Sequence, residues 1–206
     1  MWALKHDAPG AADELAALRD AWAEVMGAAV DEPKRQPESF GSVEALFNGC
    51  DLLNELLLVK LRAIYEAHGG VFHRANVKSE DRALQKVYRS YGGDWRRLTD
   101  LNRCALAFGS FGQIAACLRV IGAHPEIMLL KTSQGKMRFD DEYDASKSGR
   151  YRDVQISVRI DTAWTREHGL DKVLCEVQLH HAEFYERKTK GGGHPAYVTQ
   201  RDMRGR

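Results

Sequence analysis

Apolar residues in the first half of the chain recur at the spacing of amphipathic helices. Residues 11–29 carry such a stripe and are rich in alanine, which predicts a first helix. A second helix is predicted to begin after Ser42, whose hydroxyl can cap it, and to end at the glycine pair 69–70. A third is predicted over 79–91. The stretch 31–42 contains two prolines and many charges, and it is predicted to be a linker.

The second half of the chain changes to the two-residue period of β-strands. The predicted elements are a helix over 111–123 and strands over 104–110, 127–133, 152–160 and 172–180. The connection 138–150 is polar and turn-prone, and the region from residue 184 begins helical and breaks at a run of glycines. This order predicts an α+β domain whose mixed β-sheet is flanked by helices.

Polar residues share one face of the last two predicted strands. In the strand 152–160 the outward set is Asp153, Gln155, Ser157 and Arg159, and in the strand 172–180 it is Glu176, Gln178 and His180. If these strands are neighbours, their polar residues line one open surface. Alternation alone is compatible with a solvated sheet face and with an enzyme groove.

Composition is that of an ordinary soluble domain. The chain has 206 residues, 44% hydrophobic and 29% charged, and a formal net charge of +1, so its overall charge does not indicate a nucleic-acid partner. We expect residues 1–70 to form an N-terminal helical extension and 71–206 the main domain. Four cysteines without paired spacing predict buried thiols in a reducing compartment. No apolar run is long enough for a signal or a membrane span, so a cytoplasmic location is expected.

Two acidic residues are candidates for metal or acid–base chemistry. Glu176 lies in a predicted strand, and Asp100 comes just before the first predicted strand. Two carboxylates from separate strands suit Mg²⁺, or one holds the metal while the other accepts a proton from an attacking hydroxyl. An isolated aspartate is equally compatible with a helix cap or a surface position.

A series of motifs gives a more specific indication. In order they are VKSEDRALQK (77–86), LTDLNRCALAF (98–108), GRYRDVQISV (149–158), CEVQLHH (175–181) and GGHPAY (192–197). The series resembles the RelA/SpoT-type synthetase domain of the (p)ppGpp synthetases over residues 74–200. The resemblance implies a nucleotidyltransferase-like fold and an enzyme that moves the β,γ-pyrophosphate of ATP to the ribose 3'-hydroxyl of a guanine nucleotide, GDP or GTP.

The resemblance also implies roles for individual residues. Asp100 and Glu176 are the implied catalytic acids and Mg²⁺ ligands. The implied ATP-binding residues are Arg74, Lys78, Arg82, Lys86 and Arg103. The implied acceptor-binding residues are Tyr151, which stacks on the base, Arg152, Gln178 and His194. Because Lys78 and Lys86 are eight positions apart, we expect them on nearly the same helical face, spaced to follow a polyphosphate.

Four positions depart from the pattern of that family. They are Asn76, where an arginine is usual, Arg82, where a small hydroxyl residue is common, Gln155, where a histidine is usual, and His180, where an arginine is common. The alternatives are therefore the same chemistry on adenine nucleotides or the 3' end of tRNA, and a non-catalytic nucleotide-binding module. A homo-oligomer is compatible with each of these functions, and no membrane partner is expected.

Overall fold

The computed structural model describes residues 10–131, 136–148 and 151–190. The helices are α1 (Ala11–Ala28), α2 (Val43–Glu66), α3 (Glu80–Ser90), α4 (Phe111–Ala123), α5 (Ala163–Glu167) and α6 (Ala182–Lys190). The strands are β1 (Val71–His73), β2 (Asn102–Phe108), β3 (Ile127–Leu130), β4 (Lys136–Met137), β5 (Val154–Ile160) and β6 (Cys175–His181). Short 3-10 helices cover Glu38–Phe40, Trp95–Arg97 and Ala145–Ser148.

One mixed sheet carries the fold. Its strand order is β1-β2-β6-β5-β3, and β4 also pairs with β5. Strands β2 and β6 are parallel, whereas the other pairs are antiparallel. The predicted α+β class, with a mixed sheet flanked by helices, is therefore confirmed.

The apolar face of the sheet and the first helices share one hydrophobic core. Val154, Val158 and Val177 on the sheet belong to the same buried cluster as Leu18 of α1 and Leu57 of α2. Helix α2 begins as predicted, with the Ser42 hydroxyl accepting a hydrogen bond from the Ala45 amide at 3.1 Å. Residues 11–66 therefore pack on the sheet of their own chain.

Helices α1 and α4 are in close contact. Glu14 of α1 accepts hydrogen bonds from the first amides of α4, those of Phe111 (3.0 Å) and Gly112 (3.3 Å). A carboxylate is favourable there because the amides at a helix N-terminus lack partners within the helix. Near the other end of α4, Gly122 leaves no room for a side chain, since a Cβ would lie 2.8 Å from the Val25 Cγ2.

Several element boundaries differ from the prediction. Strand β2 ends at Phe108 instead of residue 110, because Ser110 and Gln113 form a capping box that starts α4. Strand β3 ends at Leu130, and β6 begins at Cys175. Elements β1, β4 and α5 were not predicted, since they contain only three, two and five residues and show no resolvable period.

The polar face of the sheet is not an open surface, which corrects the prediction. Strands β5 and β6 are neighbours, as expected, but Glu176, Ser157 and Arg159 are only 8%, 2% and 4% exposed. The predicted linker covers part of this face. Val30 forms a parallel bridge with Leu130, and the Arg159 guanidinium donates to the Glu32 carboxylate at 2.6 Å. The face is polar because these residues have polar partners.

The prediction of buried thiols is confirmed. All four cysteines are buried and free, and burial raises the pKa of Cys50 to about 12, so its thiol is unreactive at neutral pH. Among the described helices, none has the length and apolar character needed to span a bilayer.

Candidate active site

Asp100 lies in the short connection between the 3-10 helix Trp95–Arg97 and β2. Its Oδ2 accepts hydrogen bonds from Lys78 Nζ at 2.7 Å and from Lys86 Nζ at 2.9 Å. Burial by itself would raise the pKa of Asp100, but the two ammonium groups hold that pKa well below its ordinary value. Asp100 is therefore a fixed negative charge at any physiological pH.

The two lysines reach Asp100 from different kinds of backbone. Lys86 belongs to α3, whereas Lys78 precedes Ser79, the N-cap residue of that helix, and its amide donates to the Leu101 carbonyl at 3.1 Å. The prediction that both lie on one helical face is wrong, because the chain is still extended at Ser79 (φ −58°, ψ 140°). Their side chains converge on the same carboxylate oxygen all the same.

Glu176 lies in the middle of the sheet. Its neighbours in register are Arg103 on β2 and Ser157 on β5. Gln178, two residues further on the same face of β6, donates a hydrogen bond from Nε2 to Glu176 Oε1 at 2.6 Å. Gln178 thus restricts the orientation of the carboxylate.

Two further lysines, Lys34 and Lys136, lie near Glu176. Burial lowers the pKa of Lys34, while the carboxylates of Glu176 and Asp100 both act to raise it. Burial and the Arg138 charge lower the pKa of Lys136, and Glu176 acts to raise it. Asp100 lies two residues before Asn102, which pairs in register with Cys175, the neighbour of Glu176. Lys34 also interacts electrostatically with both acids, so Asp100 and Glu176 lie in the same region of the molecule. Four lysines, counting Lys78 and Lys86, thus surround two carboxylates.

Sequence reasoning missed Lys34 and Lys136. Lys34 lies in a stretch whose prolines and charges indicated a linker, and Lys136 lies in a two-residue strand. In the structure, exposure alternates along this stretch. Glu32, Lys34 and Gln36 are less exposed than the residues between them. Because all three of these less exposed residues are polar, the hydropathy of the sequence does not show the alternation.

The donor set at the two acids fits a hard divalent cation. Oδ1 of Asp100 is buried and has no hydrogen-bond partner in the part of the chain that the structure describes. Such an atom needs a ligand, and Mg²⁺ is commonly held by one or two carboxylates together with substrate phosphates. The same part of the chain has no cluster of three or more His, Cys, Asp or Glu residues suited to a metal.

Tyr151 and His180 lie beside one another. The Tyr151 hydroxyl donates to Asp153 Oδ2 at 2.8 Å and lies 3.1 Å from His180 Nδ1. Burial and the Asp153 carboxylate raise the pKa of Tyr151 well above its ordinary value, so the phenol stays protonated. The Arg138 guanidinium lies 5.4 Å from the centre of the tyrosine ring. Stacking of this ring on a base stays a prediction.

Arg152 holds a loop in place. Its guanidinium donates to the backbone carbonyls of Arg138 (2.7 Å), Asp140 (2.9 Å) and Tyr143 (3.3 Å). These bonds hold the connection between β4 and β5 to the residue that precedes Asp153. A contact between Arg152 and the acceptor nucleotide stays a prediction.

Of the remaining implied binding residues, two are exposed, one lies beside Glu176 in the sheet, and one lies outside the described residues. Arg74 is exposed and forms an ion pair with Glu55 of α2. Arg82 is exposed on α3, and Arg103 is close enough to Lys78 to lower the pKa of that lysine. His194 lies outside the residues that the structure describes. The ATP and acceptor contacts implied for these residues stay predictions.

The fold is that of the small alarmone synthetases. The chain is similar to the small alarmone synthetase 1 from Bacillus subtilis, at 18% identity and a TM-score of 0.52, over 79% of this chain and 87% of that one. It is also similar to the Type VI effector Tas1, solved in complex with its immunity protein, at 17% identity and a TM-score of 0.46, over 76% and 74% of the two chains. No protein-family model and no curated protein matches the chain. The resemblance in the motifs is confirmed as a resemblance in fold.

Proposed function

We propose that the chain is a Mg²⁺-dependent pyrophosphokinase that transfers the β,γ-pyrophosphate of ATP to the 3'-hydroxyl of a guanine nucleotide. The observation that carries this proposal is the convergence of Lys78 and Lys86 on Asp100, with Lys34 and Lys136 close to Glu176. This arrangement lies on the fold of a small alarmone synthetase. A surplus of buried cations around two acids is what a bound polyphosphate requires.

The four lysines are suited to binding and orienting a triphosphate. Burial lowers the pKa of Lys34, Lys78 and Lys136, which means that these ammonium groups are incompletely compensated in the free protein. Phosphate oxygens would supply the missing negative charge. Charge-assisted hydrogen bonds of this kind are about twice as strong as neutral ones.

The proposed reaction is a direct displacement. The 3'-hydroxyl oxygen forms a bond to the β-phosphorus of ATP, and the bond from that phosphorus to the α,β-bridging oxygen breaks, releasing AMP. The proton of the hydroxyl passes to the carboxylate of Glu176, which Gln178 holds in position. Asp100 and Glu176 would hold Mg²⁺, which neutralises phosphate charge when bound. The lysines of the site keep the phosphates in line.

The test is product analysis with purified full-length chain. ATP labelled at the γ-phosphate and Mg²⁺ are incubated separately with GDP, GTP, ADP and tRNA, and label transfer is measured together with AMP. We expect label on GDP or GTP with an equal amount of AMP. Asp100→Asn and Glu176→Gln should each lower the rate by at least about 100-fold. The control Glu66→Gln, which removes an exposed acid that pairs with Arg62, should leave the rate unchanged.

Two other results would change the proposed function. Transfer to ADP or tRNA in place of GDP and GTP would replace the guanine acceptor and keep the chemistry. Nucleotide-dependent thermal stabilisation with no AMP from any acceptor would make the chain a binding module and contradict the proposed enzyme.

A further inference from the structure

The segment between α1 and the first 3-10 helix is fixed to the sheet at its beginning. The Val30 amide donates to the Leu129 carbonyl at 2.9 Å, and the Val30 carbonyl accepts from the Lys131 amide at 2.7 Å. Two residues later, Glu32 receives both terminal nitrogens of the Arg159 guanidinium, at 2.6 and 3.3 Å. These contacts hold the start of the segment across β3 and β5.

The same segment is fixed again at its end by Gln36. The fully buried Gln36 side chain donates to the carbonyls of Leu98 (2.9 Å) and Leu174 (3.1 Å) and accepts from the Leu174 amide at 3.0 Å. Its own amide donates to the Arg96 carbonyl at 2.7 Å. Gln36 thereby ties the segment to the backbone just ahead of Asp100 and just ahead of Glu176.

Lys34 lies between these two attachments and takes part in neither of them. It is half-buried, and its ammonium group makes no hydrogen bond or ion pair with the residues that the structure describes. Burying a cation without a partner costs free energy. The carboxylates of Glu176 and Asp100 act to raise the pKa of Lys34, and the Lys86 ammonium group acts to lower it. The segment is therefore held at both ends in a way that keeps an uncompensated ammonium at the two acids.

We propose that Lys34 binds the β- and γ-phosphates of the donor nucleotide, so that this side chain of the segment Val30–Gln36 forms part of the active site. This assignment rests on the proposed function for the identity of the donor. Lys34 would supply, from the N-terminal part of the chain, a cation that none of the recognisable motifs contains. Because Lys34 interacts electrostatically with both proposed metal-binding acids, we assign it to the pyrophosphate group that is transferred and not to the α-phosphate that stays with AMP.

Lys34 should therefore affect ligand binding without supporting the fold. Replacing it removes a partly desolvated charge and no bond among the described residues, so Lys34→Ala should unfold at the same urea concentration as the unchanged protein or a higher one. The same change should weaken binding of ligands that carry β- and γ-phosphates by about 10- to 100-fold, the effect of losing one charge-assisted hydrogen bond.

The experiment compares the full chain with Lys34→Ala, Lys34→Arg and Arg35→Ala. Arg35 is the neighbouring cation on the same segment, but it is exposed and pairs with Asp94 on the surface, so it serves as the control. Calorimetry with Mg²⁺ gives the affinities for α,β-methylene-ATP, which cannot undergo the transfer, and for AMP. We expect Lys34→Ala to weaken binding of the analogue and leave AMP affinity unchanged, Lys34→Arg to restore most of the loss, and Arg35→Ala to match the unchanged protein.

Equal affinity of Lys34→Ala and Arg35→Ala for the analogue would overturn the assignment, as would an equal loss for AMP. A fall in the unfolding midpoint of Lys34→Ala in step with the loss of affinity would also overturn it, because Lys34 would then be structural. Failure of the proposed function is separable from these results. If the unchanged chain releases no AMP but binds the analogue through Lys34, the enzyme proposal fails and the phosphate site stands. If the unchanged chain releases AMP and Lys34→Ala releases it at the same rate, the enzyme proposal stands and the assignment of Lys34 fails.

Discussion

Asp100 has two oxygen atoms with different surroundings. Oδ2 receives two lysines, whereas Oδ1 is buried and has no partner among the described residues. The first arrangement keeps the carboxylate ionised, and the second leaves one oxygen available to a cation. At the scale of single residues, this division is the strongest support for the proposed metal-assisted phosphate site.

The ion pairs of Asp100 predict a pH-dependent contribution to stability. Its pKa is lowered in the folded state, so the stabilisation is present above the ordinary pKa of 3.8 and is lost as pH falls towards the folded-state value. Asp100→Asn should therefore lower the free energy of unfolding by about 1–3 kcal/mol at pH 7. The difference should be the same at pH 5 and smaller at pH 3, as measured by urea unfolding. A difference independent of pH would show that the carboxylate charge does not stabilise the fold.

Only some of the site residues were predictable from the sequence. Asp100 and Glu176 were found because each lies in or beside a recognisable strand, within a motif of known order. Lys34 and Lys136 were not, because their position depends on which distant segment lies against the sheet. Lys78 and Lys86 were expected on one helical face. This prediction was wrong because Lys78 is not helical, since helix α3 begins two residues after it.

At the scale of elements, the segment Val30–Gln36 acts as a part of the sheet layer without being a regular strand. Among the described residues, its ladder contact is the bridge of Val30 to Leu130. Side chains and the backbone of Gln36 make the other attachments. The Gln36 side chain replaces a backbone peptide group, since it donates a hydrogen bond to the Leu174 carbonyl and accepts one from the Leu174 amide. A segment held by side chains is sensitive to single substitutions.

Gln36→Ala should loosen this segment. The change leaves the buried Leu174 amide and the carbonyls of Leu98 and Leu174 without their partner, which should cost about 3 kcal/mol of unfolding free energy. Urea unfolding measures that cost, and hydrogen exchange at the Leu174 amide should become faster. Arg35→Ala, which removes a surface ion pair from the same segment, should cost less than about 1 kcal/mol. Equal effects of the two changes would contradict the attachment by Gln36.

Helix α4 offers a matched pair of glycines that tests its contact with α1. A Cβ on Gly122 would lie 2.8 Å from Val25, whereas a Cβ on Gly112 would meet nothing closer than 3.6 Å. Alanine has a higher helix propensity than glycine by up to about 1 kcal/mol, so Gly112→Ala should be neutral or stabilising. Gly122→Ala should destabilise by about 1–3 kcal/mol because α1 must move away. Thermal unfolding of both variants checks this difference, and a stabilising Gly122→Ala would contradict the close packing.

Periodicity predicted the longer elements and failed for the surface between them. Strands β2, β3, β5 and β6 were identified, since each has apolar residues on the side that packs on the helices. The polar side of β5 and β6 was expected to be open, but alternation shows only which residues share a face. It does not show that Glu32 and Gln36 will lie against that face.

At the scale of the whole molecule, the N-terminal helices and the sheet form one core, and the chain between α1 and α2 reaches the acids. The fold is that of the small alarmone synthetases, and the proposed site lies on the polar side of the sheet. The division into an extension (1–70) and a synthetase domain (71–206) stays a prediction about organisation. If Lys34 has the role proposed, the extension contributes to the active site directly.

The central claim is that one polar face holds a metal ion and a triphosphate between Asp100 and Glu176. A crystal structure of the chain with α,β-methylene-ATP and Mn²⁺, whose anomalous signal locates the metal, tests it most directly. We expect a metal peak in contact with both carboxylates, and the β- and γ-phosphates within hydrogen-bond distance of Lys78, Lys86 and Lys34. Phosphates bound on another surface, or a metal that touches neither acid, would contradict the claim.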